Sequence, residues 1–407
     1  MRYPNFCGPS YVSQSPLAMA ARSMLFYPER IEVPGGKNQF ALYPTPGCTL
    51  FAQSADTPGR AIYALSDGLR CYAVIGRTLF EVNADMTLTA RHTPLAIDPN
   101  PAQLVDNGTG GGQLAVASGG EVGILALDTN VFTPAVVTGI TFIGMLDGYF
   151  LGLDVQSGTL KVSDLLAGLT WDPNQFAQRS AAPDPWRSML VRDTVIYLIG
   201  GKTGDVWYNN GSFPFPFAPI PGIRIRHGTS APFSLADLDS GPVWLSHNDR
   251  GRAQVVQVKS GYRSVPVSTH AVDFAIRQYP RIDDAVGWTY QEDGHEFYCL
   301  NFPTAGATWC WDPALGAFGW HERGKWNPEL ARYEAWGPQY HAHHFGKHLV
   351  LDHRGGSVYR MANDVYTDVD GGVLRRMRRA PGLLAEQRKV FYDRVGLYVQ
   401  AGVGLPG

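Results

Sequence analysis

Between Asp284 and Glu322 the chain alternates short apolar runs with Gly or Pro turns: Val286–Tyr290, Glu296–Asn301, Thr308–Asp312 and Ala317–His321. Each run is rich in β-branched or aromatic residues and is too short for a helix, so the pattern predicts a four-stranded antiparallel meander. Strands this short have two apolar faces that one sheet cannot bury by itself, so similar units must stack against it.

The chain supplies those units. An apolar run, a Gly-containing turn and a second run that often ends in an aromatic residue recur from Leu69, Gln113, Tyr149, Val195, Pro242, Glu296 and His348, at spacings of about 36 to 54 residues. This is the repeat length of propeller blades. The predicted fold class is all-β: a β-propeller of six or seven blades with an N-terminal arm and a short C-terminal β extension.

Residues 1–38 read as the arm. They are punctuated by Pro and Gly and interrupted by one patch of helical pattern, Leu17 to Phe26, and they lie along the body or along a neighbouring subunit. Residues 39–373 read as the propeller, and within them the run 39–52 (QFALYPTPGCTLFA) is a candidate closing strand, since an unclosed ring leaves two sheet edges open. Two connections, 165–187 and 211–229, are long and Pro-rich. The second sets Phe213, Phe215 and Phe217 at alternate positions, an apolar edge that either packs on a neighbouring blade or forms a subunit contact. Residues 374–407 read as a C-terminal β segment in which KVFYDRVGLYVQAG alternates like a strand awaiting a partner, so the natural chain is expected to continue.

Composition narrows the class. The 407 residues are 44% hydrophobic with 46 Gly and 29 Pro, which suits many short strands and tight turns, and repeat architectures of this length grow as one body. A formal charge of −2 gives no global attraction to nucleic acid or to an anionic membrane. The five cysteines, Cys7, Cys48, Cys71, Cys299 and Cys310, are scattered without a CxxC pair, and reduced thiols are the simplest reading. No run approaches eighteen apolar residues, so membrane insertion is not expected.

Candidate chemistry is sparse. His341 and His343 would share a strand face as two metal ligands should, but no carboxylate or cysteine at suitable spacing completes a set with His344, His348 and His353, and no cofactor is expected. Arg375, Arg376, Arg378 and Arg379 form the basic run RRMRR, a candidate contact to DNA backbone or to an acidic partner. Ser163–Pro173 (SDLLAGLTWDP) resembles the Asp-box turn of sialidase-type propellers, which is structural even in the enzymes. Asp237, Asp239, Asp283, Asp284, Glu292 and Asp293 offer carboxylates but no evident pair for glycoside hydrolysis. GxSxG, HExxH and P-loop signatures are absent from the sequence. No catalytic activity is expected.

Several segments together resemble one family, the packaged-DNA stabilisation (tail hub or nozzle) proteins of short-tailed bacteriophages. They are FCGPSYVSQSP and NQFALYPTPG, then SDLLAGLTWDP, DVWYNNG and FPF, then VSTHAVDFAI, DDAVGWTYQEDGHEFYCLNFP and TWCWD, and finally FGKHLVLD, GGSVY, RRMRRAP and QAGVG. The resemblance spans most of the chain in order. It implies a β-propeller subunit in a ring of six copies, below a head-to-tail adaptor ring and next to needle, plug, or fibre and spike proteins. Genomic double-stranded DNA would pass through the channel, which the ring seals after packaging. It implies a virion tail location after synthesis in the host cytoplasm, and it carries no catalytic residues. The His-rich run is heavier than the family pattern leads one to expect, and the strands expected after QAGVG are missing. A competing class is a carbohydrate-binding or polysaccharide-degrading propeller on the virion, which the 10 Trp, 19 Tyr and 19 Phe would suit.

Overall fold

A computed structural model describes residues 6–32, 40–179, 183–247 and 253–380, with a few positions after 390. Most of the C-terminal run KVFYDRVGLYVQAG and part of the N-terminal arm lie outside the described residues.

The chain folds into small antiparallel sheets taken up one after another. Sheet A comprises Gly59–Ala64, Cys71–Ile75, Thr78–Val82 and Leu88–His92. Sheet B comprises Gln103–Asp106, Gln113–Ser118, Glu121–Ala126 and Phe132–Thr138. Sheet C comprises Phe142–Leu146, Tyr149–Asp154, Thr159–Val162 and Phe176–Gln178. Sheet D comprises Trp186–Arg192, Val195–Gly200, Gly204–Asn209 and Phe217–Pro219. Sheet E comprises Val243–His247, Ala253–Lys259 and Arg263–Pro266, with Ala236 bridged to Val243 on its inner side.

Sheet F is the predicted meander: Val286–Glu292, His295–Phe302, Ala307–Trp311 and His321–Arg323. Sheet G comprises Pro338–His344, Lys347–Asp352 and Val358–Ala362, and Gly47–Ala52 from the N-terminal side pairs with its last strand.

Local chemistry fixes the hairpins. Asp147–Gly148 and Asp293–Gly294 are two-residue loops with both φ angles positive (53° and 83°, 51° and 82°). Such turns match the twist of the flanking strands, and Asp-Gly meets their backbone demand at low cost.

The core is divided as the sequence requires, with each large apolar cluster shared between two consecutive sheets and a small one, Met24, Leu25 and Leu374, under the N-terminal strands. Leu104, Leu114 and Val116 of sheet B meet Tyr72, Val74 and Leu79 of sheet A. Leu151 and Leu153 of sheet C meet Trp186, Ile196 and Leu198 of sheet D. Leu349 and Val358 of sheet G meet Ala73 and Ile75 of sheet A. No sheet could hold both faces dry alone, so each depends on its neighbours.

Three expectations are corrected. The fourth meander run, placed at Ala317–His321, is a 3-10 turn over Pro313–Gly319 capped by the Asp312 carboxylate, and the strand begins at His321. The helical patch Leu17 to Phe26 is extended: Ala20–Met24 pairs with Tyr11–Val12, with Met377–Arg379 and, in parallel, with Glu322 of sheet F. Pairing on several sides outweighs the intrinsic preference of Ala, Met and Arg for helix, and Leu17, which a helix would have buried, is 95% exposed. The candidate closing run 39–52 is two strands: Phe40–Pro44 pairs with Phe26–Arg30, and only Gly47–Ala52 joins sheet G.

Candidate docking and nucleic-acid contact surfaces

The basic run lies where the two ends of the chain meet at the outer edge of sheet F. Arg378 donates to the carbonyl oxygens of Phe6 (2.5 Å), Gly8 (3.0 Å) and Pro9 (3.1 Å) and to Ser23 Oγ (2.8 Å). Arg375 stacks its guanidinium 3.6 Å from the centroid of the Trp326 ring. Arg376 donates to the Thr45 carbonyl oxygen (3.1 Å), and burial lowers its pKa. Arg379 pairs through its backbone with Arg22, and its side chain is exposed. Of the four arginines placed here as a DNA or acidic-partner contact, Arg376 and Arg378 therefore bond to the chain's own backbone, Arg378 holding the N-terminal strands, while Arg375 stacks on Trp326 and stays exposed like Arg379.

The three phenylalanines separate. Phe217, 4% exposed, is core between sheets C and D, and Phe215 packs partly buried against Phe217 and Trp207. Only Phe213, 91% exposed, remains available for a subunit contact. Strand alternation would have put all three on one edge, but Phe217 alone is within the last strand of sheet D and the rest is loop.

Among the histidines, the His341 and His348 rings share one hydrogen bond, Nε2 to Nδ1 at 3.0 Å, with His343 edge-on to His348. His344 is buried apart from them, and His353 donates from Nδ1 to the Gly337 carbonyl oxygen (2.8 Å). Among the described residues no group of three or more His, Cys, Asp or Glu could hold a metal ion. Burial, then the neighbouring His348 and His343, lower the His341 pKa to about 3.

The Asp-box-like segment works as a turn. Asp164 bridges Ala167, Trp171 Nε1 donates to the Gly168 carbonyl oxygen (2.8 Å), and Gly168 N–H donates to Gln113 Oε1 (2.7 Å), which seats the loop on sheet B. Leu165, Leu166 and Leu169 on this loop stay exposed.

A short turn ties the first strands of three sheets together. Pro232–Ser234 forms a 3-10 turn that touches the first strands of sheets D and F. Ser188 Oγ of sheet D donates to the Pro232 carbonyl oxygen (2.6 Å), and Tyr298 Oη of sheet F donates to that of Ser234 (2.8 Å). The Phe233 ring stacks 4.8 Å from that of Phe142 in sheet C. With Asp98, Ser118, Gly119 and Thr141 it lines a half-open cavity of about 10 Å³. A wider open groove of about 530 Å³, beside Phe80, Met86 and Leu88, has a single carboxylate, Asp56, on its wall. One carboxylate does not make the pair that glycoside hydrolysis needs.

A body of small antiparallel sheets stacked face to face defines an all-β fold of the β-propeller class. The chain belongs to the phage stabilisation family described as the bacteriophage P22 Gp10 β-propeller, whose model matches residues 22–366. That family serves packaged-DNA stabilisation, which makes this chain a structural phage protein and a virion component.

No curated protein matches the chain significantly. Among solved structures, an extracellular domain of a hybrid two-component system from B. thetaiotaomicron has 9% identity over 77% of this chain and 39% of its own, with a TM-score of 0.50, which shows the fold alone. A chain of the S. cerevisiae complex of Dbp5 with Nup159, Gle1, IP6 and ADP has 12% identity over 84% of this chain and 99% of its own (TM-score 0.46). The dihydro-heme d1 dehydrogenase NirN has 13% identity over 83% and 69% (TM-score 0.45).

Proposed function

We propose that the chain is a seven-bladed propeller closed by Gly47–Ala52, and that copies of it form a ring around the DNA exit path of a short phage tail. There it would seal the packaged genome and conduct it during ejection. Closure is supported by the circuit of first strands: A against B, B against C, C against D, D against Pro232–Ser234, that turn against F, F against G, and G against A. Six copies, an adaptor ring above, and needle, plug or fibre partners are the assembly that the family resemblance implies.

The observation that carries the ring is the short span across the first strands. Pro232–Ser234 bonds to sheets D and F while the Phe233 ring lies 4.8 Å from Phe142 of sheet C, a span far narrower than a duplex whose major groove alone is about 12 Å wide. A DNA conduit made of this protein has to lie between copies, and a cyclic arrangement of identical contacts is the simplest closed way to make one.

The test is the native mass of the purified full chain, alone and mixed with the adaptor ring of the same phage. A discrete cyclic oligomer, or one formed only on the adaptor, supports the reading. A monomer that ignores the adaptor at micromolar concentration would refute it.

A further inference from the structure

The four arginines of RRMRR are conspicuous in sequence, yet the fold assembles a second basic cluster from positions that are not. At the end of sheet D where its first strand begins, Arg187, Arg224 and Arg226 come together beside the turn that carries Lys202, all three exposed. Each is placed by a specific device. The register of the first strand slips between Trp186 and Ser188, leaving Arg187 as the extra residue of a bulge, turned to solvent while both neighbours are buried. Bulges re-aim side chains in this way. Arg224 and Arg226 flank Ile225, which is fully buried and bridged to Gly204, so strand alternation sends both outward on one side.

Two glycines let these pieces converge. Neither Gly201 nor Gly228 has a left-handed backbone, so conformation does not require glycine at either position. A Cβ on Gly228 would lie 2.3 Å from Lys202 N, and one on Gly201 would lie 3.2 Å from Arg187 Nε. Gly228 brings the segment carrying Arg226 onto the turn carrying Lys202, and Gly201 clears space for the Arg187 guanidinium.

The cluster is not neutralised from below. Asp184, the nearest carboxylate, accepts from the amides of Gly201 (2.8 Å), Lys202 (2.9 Å) and Thr203 (2.8 Å) and from Arg179 (3.0 Å). Arg179 also holds Asp205 (2.6 Å). That network leaves one unit of negative charge beneath the three arginines. Among the described residues, Arg187, Arg224 and Arg226 have no carboxylate within ion-pair distance, whereas Arg22, Arg60, Arg91, Arg179 and Arg192 do.

We propose that Arg187, Arg224 and Arg226 form a contact site for the phosphate backbone of duplex DNA. Planar guanidinium forks free of internal partners suit phosphate oxygens. The proposal rests on the DNA-conduit reading and deepens it by naming where the genome touches the subunit. Three such contacts correspond to a slope of log affinity against log salt of about −2.7, shallow enough that DNA can be released as well as held.

The experiment measures binding of the full chain to a short duplex by fluorescence anisotropy across a salt series. The substitutions Arg187→Gln, Arg224→Gln and Arg226→Gln, combined, should weaken binding for all duplex sequences alike and make the slope shallower by about 2.7. The corresponding Lys variants should restore it. Arg375→Gln with Arg379→Gln, in the other basic run, should leave the slope unchanged. An unchanged slope in the triple Gln variant overturns the site. So does retained DNA binding with loss of the oligomer by native mass, which would make the cluster a protein contact. Normal ring assembly with an unchanged slope sinks only this site, whereas failure of the wild-type chain to form a ring sinks the conduit reading itself.

Discussion

The Arg323 guanidinium lies fully buried 4.8 Å from the centroid of the Trp336 ring, between sheets F and G. Tyr290 and Phe297 present their rings at 5.1 Å and 5.3 Å, and Arg323 Nη2 donates to Tyr290 Oη, while Nε and Nη1 have no hydrogen-bond partner among the described residues. Aromatic faces stabilise the cation where water cannot reach. The thiol of Cys310 lies in the same cluster, its Sγ 2.8 Å from that of Cys299 directly across the strand pair. Burial would raise the Cys310 pKa, but the hydrogen bond from Cys299 and then the charge of Arg323 bring it below the ordinary thiol range.

Since no carboxylate is left orphaned when Arg323 goes, Arg323→Met should cost less than about 1.5 kcal/mol, as volume-conserving swaps do. Arg323→Ala, which also empties the site, should cost about 3 to 5 kcal/mol. Urea midpoints compare the two. Equal losses would mean that the charge itself, and not the filled volume, holds sheets F and G together.

Arg378 ties the N-terminal strands to the body through four hydrogen bonds. Arg378→Ala should raise amide exchange across residues 6–24 while sheets A to E keep wild-type protection, with a stability loss of about 2 to 4 kcal/mol. Uniform loss of protection would show instead that the edge of sheet F and the rest unfold as one unit.

Phe213 and Phe217 should part company on mutation. Phe213→Ser, at an exposed position, should change monomer stability by no more than about 0.5 kcal/mol, whereas Phe217→Ala should cost about 3 to 5 kcal/mol. If Phe213 contacts a neighbouring copy, its substitution weakens the native-mass oligomer without moving the unfolding midpoint.

Acid should destabilise the fold through His341. Its folded pKa of about 3 lies below the ordinary 6.5, so between these values the unfolded chain binds the extra proton and stability rises with pH, being fully present above 6.5. Glu292 acts oppositely: burial raises its pKa from 4.5 to about 7, so through that window its contribution falls as pH rises. His341→Asn should flatten the dependence between pH 3 and 6.5, by at most about 1.4 kcal/mol per pH unit. Denaturant midpoints at pH 4.5, 5.5 and 7 read this, and an unchanged profile would assign the acid limb elsewhere.

The fold was largely legible because period-2 runs and turn residues are local signals: the meander at Val286–Trp311 and hairpins such as Asp293–Gly294 appear in the text as they do in space. What failed depended on partners distant in sequence. Ala20–Met24 reads as helix until Met377–Arg379 and Glu322 are placed beside it. RRMRR reads as a free basic strip until the carbonyls of Phe6, Gly8 and Pro9 take up Arg378. The cluster of Arg187, Arg224 and Arg226 gave no run to notice, since a bulge and an irregular connection contribute separately. Alternation through 224–226, with Gly201 and Gly228 nearby, was the faint signal available.

Retention of the packaged genome by particles assembled without this protein is the measurement that bears most directly on its role. Complementing a deletion phage in the host and counting DNA-filled heads before and after purification, the account predicts packaged heads that empty unless the wild-type chain is supplied. Heads that stay full without it would contradict the account.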